Sequence, residues 1–136
     1  TVCGEKMDLS NLTLPVYVYG SREDHIVPIN AAYASTQVLP GKKRFVMGAS
    51  GHIAGVINPP AKGKRSHWIR ADGKLPATLD QWLEGATEHP GSWWTDWSGW
   101  LKGHAGKQIA APKGYGKGAR FKAIEPAPGR YVKEKA

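Results

Sequence analysis

Residues 15–60 read PVYVYGSREDHIVPINAAYASTQVLPGKKRFVMGASGHIAGVINPP, and their pattern predicts an α/β fold class. Two runs rich in β-branched and aromatic residues, 14–19 and 43–47, predict strands, and a glycine closes each of them. Between the strands, residues 28–39 predict a helix that begins with a proline and is stopped by Pro40. Strand, loop, helix, strand and loop therefore follow one another, as in an α/β sheet.

Each of the two loops carries a residue suited to proton transfer. Asp24 lies in the loop GSREDHIVP at 20–28, and His52 lies in the loop GASGHIAG at 48–55. Because the carboxyl ends of parallel strands meet at one edge of a sheet, we expect the two side chains to lie close together. An acid could then hold the imidazole tautomer and stabilise the imidazolium. Three glycines in the second loop predict sharp turns and a close approach of the backbone to a substrate.

An acid followed by a histidine after successive strands matches the second half of an α/β-hydrolase triad, whose nucleophile comes first in the chain. No nucleophile elbow precedes Asp24, and the segment 48–51 has the wrong spacing and follows the acid. Cys3 does precede the acid, but no strand-like run comes before it, so we do not expect it to be the nucleophile. From these residues alone, Asp24 could instead cap a turn and His52 could be a buried histidine bonded to the backbone.

Four segments together carry a resemblance to a known family: GSREDHIVP at 20–28, GASGHIAGVINPP at 48–60, GSWW at 91–94 and PAPGRYV at 126–132. In the same order, they resemble the C-terminal part of class I polyhydroxyalkanoate synthases, and the similarity extends over nearly the whole chain. The resemblance implies the C-terminal portion of an α/β-hydrolase fold, with the last strands and helices of its sheet. Residues 1–60 would end the core and carry the Asp and His loops. Residues 61–136 would form a Trp-rich helical and extended segment of the same catalytic domain.

The resemblance also implies an acyltransferase that polymerises (R)-3-hydroxyacyl groups from coenzyme A into polyester and releases coenzyme A. His52 matches the histidine that activates a cysteine thiol, and Asp24 matches the aspartate that assists it or activates the incoming hydroxyl. His25 matches a family position that we expect to support the site rather than act as the base. The cysteine would lie upstream, so the isolated chain is expected to be inactive.

The partners implied by the resemblance are the (R)-3-hydroxyacyl-CoA substrate, the growing polyester chain, the surface of a polyester granule and a second copy in a homodimer. No cofactor or metal is implied. Two further hypotheses stay open: a non-catalytic module that docks onto a granule or a partner protein, and a relative that hydrolyses esters.

Composition restricts the other functions. The chain has 136 residues, of which 40% are hydrophobic, with 17 Gly and 10 Pro, and this allows one domain with a small core. Two strands cannot cover both faces of a parallel sheet, so we expect a truncated piece or one that folds only against upstream sequence. The net charge of +8 is spread along the chain without a zinc-finger or RNP-like motif, so we do not expect nucleic-acid binding. A solvated surface and steering of an anionic coenzyme A thioester both remain open.

The single cysteine excludes an internal disulfide and fits a reducing compartment, so the cytoplasm is the expected location, at polyester granules by the resemblance. No apolar run of about eighteen residues is present, and we expect no transmembrane helix.

All six tryptophans lie between residues 68 and 100, where residues 78–86 and 92–101 predict capped helices. In the second of these helices, three tryptophans share one face: Trp93, Trp97 and Trp100. We favour that face as core and expect Trp94, which is off the stripe, to be the exposed one. Beyond residue 106 the chain is too broken for regular structure, apart from a short strand at 119–124.

Overall fold

The computed structural model describes residues 1–135, in two compact units. The first unit is Thr1–His104 and holds a four-stranded sheet with three α-helices. The second unit begins at Ala105 and holds a small two-stranded pair. Within the described residues, no helix combines the length and the apolar character needed to cross a membrane.

The sheet of the first unit is mixed. Its strands are β1 (Val16–Ser21), β2 (Lys43–Gly48), β3 (Ser66–Ile69) and β4 (Thr87–Pro90), in that spatial order. β1 pairs with β2 in parallel, whereas the β2–β3 and β3–β4 pairs are antiparallel. The predicted α/β class is confirmed at this level, and the two predicted strands are present. Two strands that the sequence did not predict, β3 and β4, extend the same sheet.

β3 and β4 lie in the stretch that we predicted to be helical and extended. Neither strand shows a clear alternation of apolar and polar residues, and all four residues of β4 are exposed. Pro90 ends β4 at the edge of the sheet, where a missing backbone N–H costs nothing in the ladder. β3 forms on the free edge of β2, and β4 forms on the free edge of β3; local sequence does not reveal either edge.

Helix α1 (Ile29–Val38) connects the two parallel strands, as predicted. It packs close to β1 because Gly20 has no side chain: a Cβ there would lie 2.6 Å from Ile29 Cδ1. The hydrophobic core joins this helix, the sheet and residues 79–82, and it is formed by Tyr33, Phe45, Met47, Leu79 and Trp82.

Helix α2 (Leu79–Glu84) follows the predicted cap, since the Thr78 hydroxyl accepts a hydrogen bond from the Gln81 N–H at 3.3 Å. Helix α3 (Trp94–His104) also has the predicted cap, with Ser92 Oγ accepting from the Trp94 N–H at 3.0 Å. α3 runs three residues beyond its predicted end at Leu101. Two 3-10 turns, Leu9–Asn11 and Pro60–Lys62, complete the first unit.

The prediction for the tryptophans of α3 is wrong at two positions. Trp94 is half-buried, because its indole N–H donates to the Val56 carbonyl oxygen at 2.9 Å. Trp97, which lies on the stripe, is 37% exposed. No residue of α3 is fully buried, so the stripe borders the sheet rather than forming its core.

The second unit is almost entirely exposed. It contains β5 (Gly116–Lys117), which pairs antiparallel with β6 (Phe121–Lys122), and a 3-10 turn, Tyr131–Lys133. The short strand expected at 119–124 is confirmed, although it spans only two residues.

Candidate active site

The loops that follow β1 and β2 are joined through their backbones. The Arg22 N–H donates to the Gly48 carbonyl at 2.8 Å, and the Glu23 N–H donates to the Ser50 carbonyl at 3.0 Å. The parallel pairing of the two strands thus continues into both loops. It brings the residues that follow, including Asp24 and His52, to the same end of the sheet.

Asp24 is held rigidly by its own loop. Its Oδ1 accepts hydrogen bonds from the N–H groups of Val27, at 3.1 Å, and Ile26, at 2.8 Å. The bond from Val27, then the bond from Ile26 and the nearby His52, lower the pKa of this carboxyl below its ordinary value. The Asp24 side chain is only 11% exposed. It therefore caps a turn, as one interpretation of the sequence proposed, and it also faces the histidine loop as an ionised carboxylate.

His52 lies against this carboxylate. Its Nδ1 is 3.3 Å from Asp24 Oδ1. Within residues 1–135, Nδ1 is buried and has no aligned hydrogen-bond partner, so a small rotation of the ring is needed to direct its proton at the carboxylate. The side chain as a whole is 32% exposed. Because Nδ1 is buried, this exposed surface belongs to the rest of the side chain, where a reacting group from outside can approach.

His25 also contacts His52. The two imidazole centroids are 4.9 Å apart, and the rings meet edge to face at 70°. Two neighbouring residues of one loop, Asp24 and His25, thus both contact the His52 side chain. The sequence suggested this grouping only through the resemblance, because adjacent side chains in an extended segment point in opposite directions.

The glycines around His52 are not in the left-handed region. Gly48, Gly51 and Gly55 do not take positive φ, and the left-handed position in this loop is Ser50, at φ +70°. Gly48 and Gly55 are needed instead for close packing. A Cβ on Gly48 would lie 2.1 Å from the Tyr19 hydroxyl, and one on Gly55 would lie 2.6 Å from the Ala49 carbonyl oxygen.

Two residues near the site were not singled out for it in the sequence. The indole N–H of Trp93 donates to the Gly55 carbonyl oxygen at 3.1 Å, and that of Trp94 donates to the Val56 carbonyl oxygen at 2.9 Å. Both acceptors belong to the turn that directly follows His52. The only signal in the sequence is the GSWW segment, whose partner cannot be identified without the fold.

Asp96 attaches α3 to the sheet. Its carboxylate accepts hydrogen bonds from Arg44 Nε at 2.8 Å and from the Tyr17 hydroxyl at 2.9 Å, and Arg44 Nη2 contacts its other oxygen. Burial opposes ionisation of Asp96, but the bonds from Arg44 and Tyr17 outweigh it and lower the pKa of the carboxyl. Burial and the same carboxylate raise the pKa of the Tyr17 hydroxyl. The start of α3 is thereby fixed over β1 and β2.

The other chemically reactive side chain, Cys3, is exposed and not in a disulfide. Across residues 1–135, no three His, Cys, Asp or Glu side chains are grouped closely enough to hold a metal ion. The chemistry that the described residues bring together is therefore that of an Asp–His pair whose histidine side chain is partly exposed.

Comparison with known proteins extends this result. No protein-family model matches the chain. Several curated proteins do match it, over nearly its full length. The chain is homologous to a segment of poly(3-hydroxyalkanoate) polymerases. The expected resemblance is thus confirmed, and the matched segment is the C-terminal part of these relatives.

The polymerase subunit PhaC of Cupriavidus necator is 65% identical over 136 residues, which is 100% of this chain and 23% of the relative. PhaC of Rhizobium etli is 42% identical over 132 residues, covering 97% of this chain and 20% of the relative. Poly(3-hydroxyalkanoate) polymerase 1 of Ectopseudomonas oleovorans is 38% identical over 134 residues, covering 98% of this chain and 23% of the relative. The chain therefore spans less than a quarter of the length of these polymerases.

Proposed function

We propose that this chain is the C-terminal part of the catalytic domain of a polyhydroxyalkanoate synthase. The enzyme would transfer (R)-3-hydroxyacyl groups from coenzyme A to a growing polyester and release free coenzyme A. The observation that carries the proposal is the 3.3 Å approach of His52 Nδ1 to Asp24 Oδ1, across two loops that are joined by backbone hydrogen bonds. The homology to poly(3-hydroxyalkanoate) polymerases supports the substrate class.

In the proposed reaction, His52 takes the proton of a cysteine thiol supplied by another part of the enzyme. The thiolate attacks the thioester carbonyl, the bond to coenzyme A breaks, and the imidazolium returns its proton to the leaving thiolate. Asp24 stabilises the imidazolium while that charge exists. The hydroxyl of a bound hydroxyacyl-CoA unit then loses its proton to His52 or Asp24 and attacks the acyl group held on the cysteine. The ester bond forms, the thioester bond to the cysteine breaks, and the cysteine thiolate leaves and takes up the proton. His25, whose ring centroid lies 4.9 Å from that of His52, would support the imidazole.

The fold proposal follows from the same arrangement. The parallel pair β1 and β2, with their loops, would be the last part of an α/β-hydrolase sheet, and residues 1–60 would end its core. Residues 61–136 would belong to the same catalytic domain. We further propose that the enzyme is a cytoplasmic homodimer that works at the surface of polyester granules.

The test uses what we call the carrier polymerase, a full-length polymerase that contains these 136 residues at the position matched in the relatives. Asp24→Asn and His52→Gln are introduced, and free-thiol release from 3-hydroxybutyryl coenzyme A is followed. Because general acid–base catalysis contributes about 10²- to 10⁴-fold, His52→Gln should lower turnover by at least about a hundredfold. His89→Gln is the matched control, since His89 is exposed on the edge strand β4. Near-normal turnover by His52→Gln would refute the proposal.

A second candidate function is that of a docking module for polyester. Large apolar side chains of the second unit are exposed, among them Ile109 (88%), Tyr115 (97%) and Ile124 (86%). Docking predicts that the carrier polymerase with both Asp24→Asn and His52→Gln still binds granules, and that replacing these three apolar residues by serine releases it. If binding survives the serine replacements, this candidate is rejected.

A further inference from the structure

The turn after His52 is a short helical segment. The Gly55 N–H donates to the Gly51 carbonyl at 2.8 Å, and the Ile57 N–H donates to the Ile53 carbonyl at 2.8 Å. In a continuing helix, each carbonyl would be paired with the N–H group four residues later. The carbonyls of Gly55 and Val56 would thus require N–H groups at positions 59 and 60.

Both of those positions are proline, which has no backbone N–H. The carbonyls of Gly55 and Val56 therefore lack the i+4 N–H partners that a continuing helix would supply. These are the two carbonyls to which the indoles of Trp93 and Trp94 donate, at 3.1 and 2.9 Å. The side chains of Trp93, which precedes α3, and of Trp94, its first residue, thus replace the two hydrogen bonds that the prolines remove.

The indoles are themselves fixed to the sheet. The Trp93 ring stacks on Tyr19 of β1, with centroids 4.3 Å apart and an angle of 27°. The α3 residue Asp96, two positions beyond Trp94, is bound by Arg44 of β2 and Tyr17 of β1. A continuous set of contacts therefore runs from the sheet through the two tryptophans to the turn that carries His52.

We propose that Trp93 and Trp94 are positioning residues for His52. By satisfying the last two carbonyls of its turn, they hold the imidazole at its 3.3 Å distance from Asp24. This inference rests on the proposed role of His52 in catalysis. It assigns to the GSWW segment a function in the reaction rather than in docking onto a granule or a partner.

The test replaces Trp93→Phe and Trp94→Phe, singly and together, in the carrier polymerase. Phenylalanine keeps an aromatic ring against Tyr19 but removes the N–H donor. A displacement of catalytic groups by a fraction of an ångström is costly, so the double variant should lose about ten- to a hundredfold in kcat, with KM for the acyl thioester within about twofold. Trp97→Phe is the matched control, because Trp97 lies on the same helix and phenylalanine keeps an aromatic ring against Trp93, whose centroid is 5.6 Å away. Its kcat should stay within about twofold of the parent.

The rate is normalised to the folded fraction, which is measured by thermal melting. A merely structural role would lower the melting temperature and leave kcat per folded molecule unchanged. As a second variant that preserves packing, 3-benzothienylalanine, which has the shape of tryptophan without the N–H, is incorporated at 93 or 94. It should reproduce the loss in kcat even if the double phenylalanine variant does not fold.

The outcomes separate the two proposals. If His52→Gln abolishes turnover while the benzothienylalanine variants retain full kcat, or change only KM, the positioning role is overturned and the proposed function stands. If His52→Gln retains turnover, the proposed function itself fails. Loss of kcat in both sets, with the Trp97→Phe control active, supports both proposals.

Discussion

Gly55→Ala tests how sensitive the site is to the position of the turn after His52. A Cβ on Gly55 would lie 2.6 Å from the Ala49 carbonyl oxygen, 2.7 Å from that of Gly51 and 2.8 Å from Ser21 Oγ. Ordinary contact for a Cβ begins at 3.4 Å, so the turn would have to move by about 0.6 to 0.8 Å. Two of the three clashing atoms are backbone atoms of the histidine loop itself, and a rotamer change cannot relieve them.

A movement of this size should displace His52 relative to Asp24. Since a misplacement of about 1 Å can cost about a hundredfold in rate, we expect Gly55→Ala to lower kcat by about ten- to a hundredfold. The assay is the initial rate of thiol release from 3-hydroxybutyryl coenzyme A by the carrier polymerase. Gly51→Ala is a control from the same loop, because its Cβ would meet only the Glu23 carbonyl oxygen, at 3.5 Å. Equal kcat values for the two alanine variants would refute the reasoning.

Two further predictions concern ionisation and the core. Hydrogen bonds from Val27 and Ile26 hold the pKa of Asp24 below its ordinary value of 3.8, so its stabilising contribution is present above about pH 4 and is lost as pH falls through the lowered pKa. Carboxyl carbon NMR of the carrier polymerase should give a midpoint below 3.8 for Asp24; a midpoint at or above it contradicts the geometry. Trp82→Ala should destabilise by about 3 to 5 kcal/mol, because Trp82 is 1% exposed in the core. Thermal melting checks this, with Tyr115→Ala, at a residue 97% exposed, expected to change little; an equal effect of both substitutions would count against the assigned core.

The elements set by local rules could be predicted from the sequence. β1, α1 and β2 follow from their residue types and from proline and glycine at their ends, and the cap at Thr78 predicts α2. β3 and β4 were missed because they are short and depend on pairing with a strand from elsewhere in the chain. The burial of Trp94 was predicted wrongly because helical periodicity shows only which residues share a face of α3. The burial of Trp94 depends instead on its contact with the turn at Val56.

The sequence by itself determined the order of the candidate site residues along the chain. A loop with Asp24 and then a loop with His52 each follow a strand, and prolines end the turn after His52. The resemblance that these motifs carry also pointed to Asp24 and His52. Only the tertiary structure decided which atoms meet. It brings His52 Nδ1 to 3.3 Å from Asp24 Oδ1 and places the ring of His25 edge to face with that of His52. It also directs the indole N–H groups of Trp93 and Trp94 to the carbonyls whose i+4 partners are Pro59 and Pro60. The physical reason is that a hydrogen bond between distant segments depends on geometry at the ångström scale, which the packing of α3 against the sheet supplies and local sequence preferences do not.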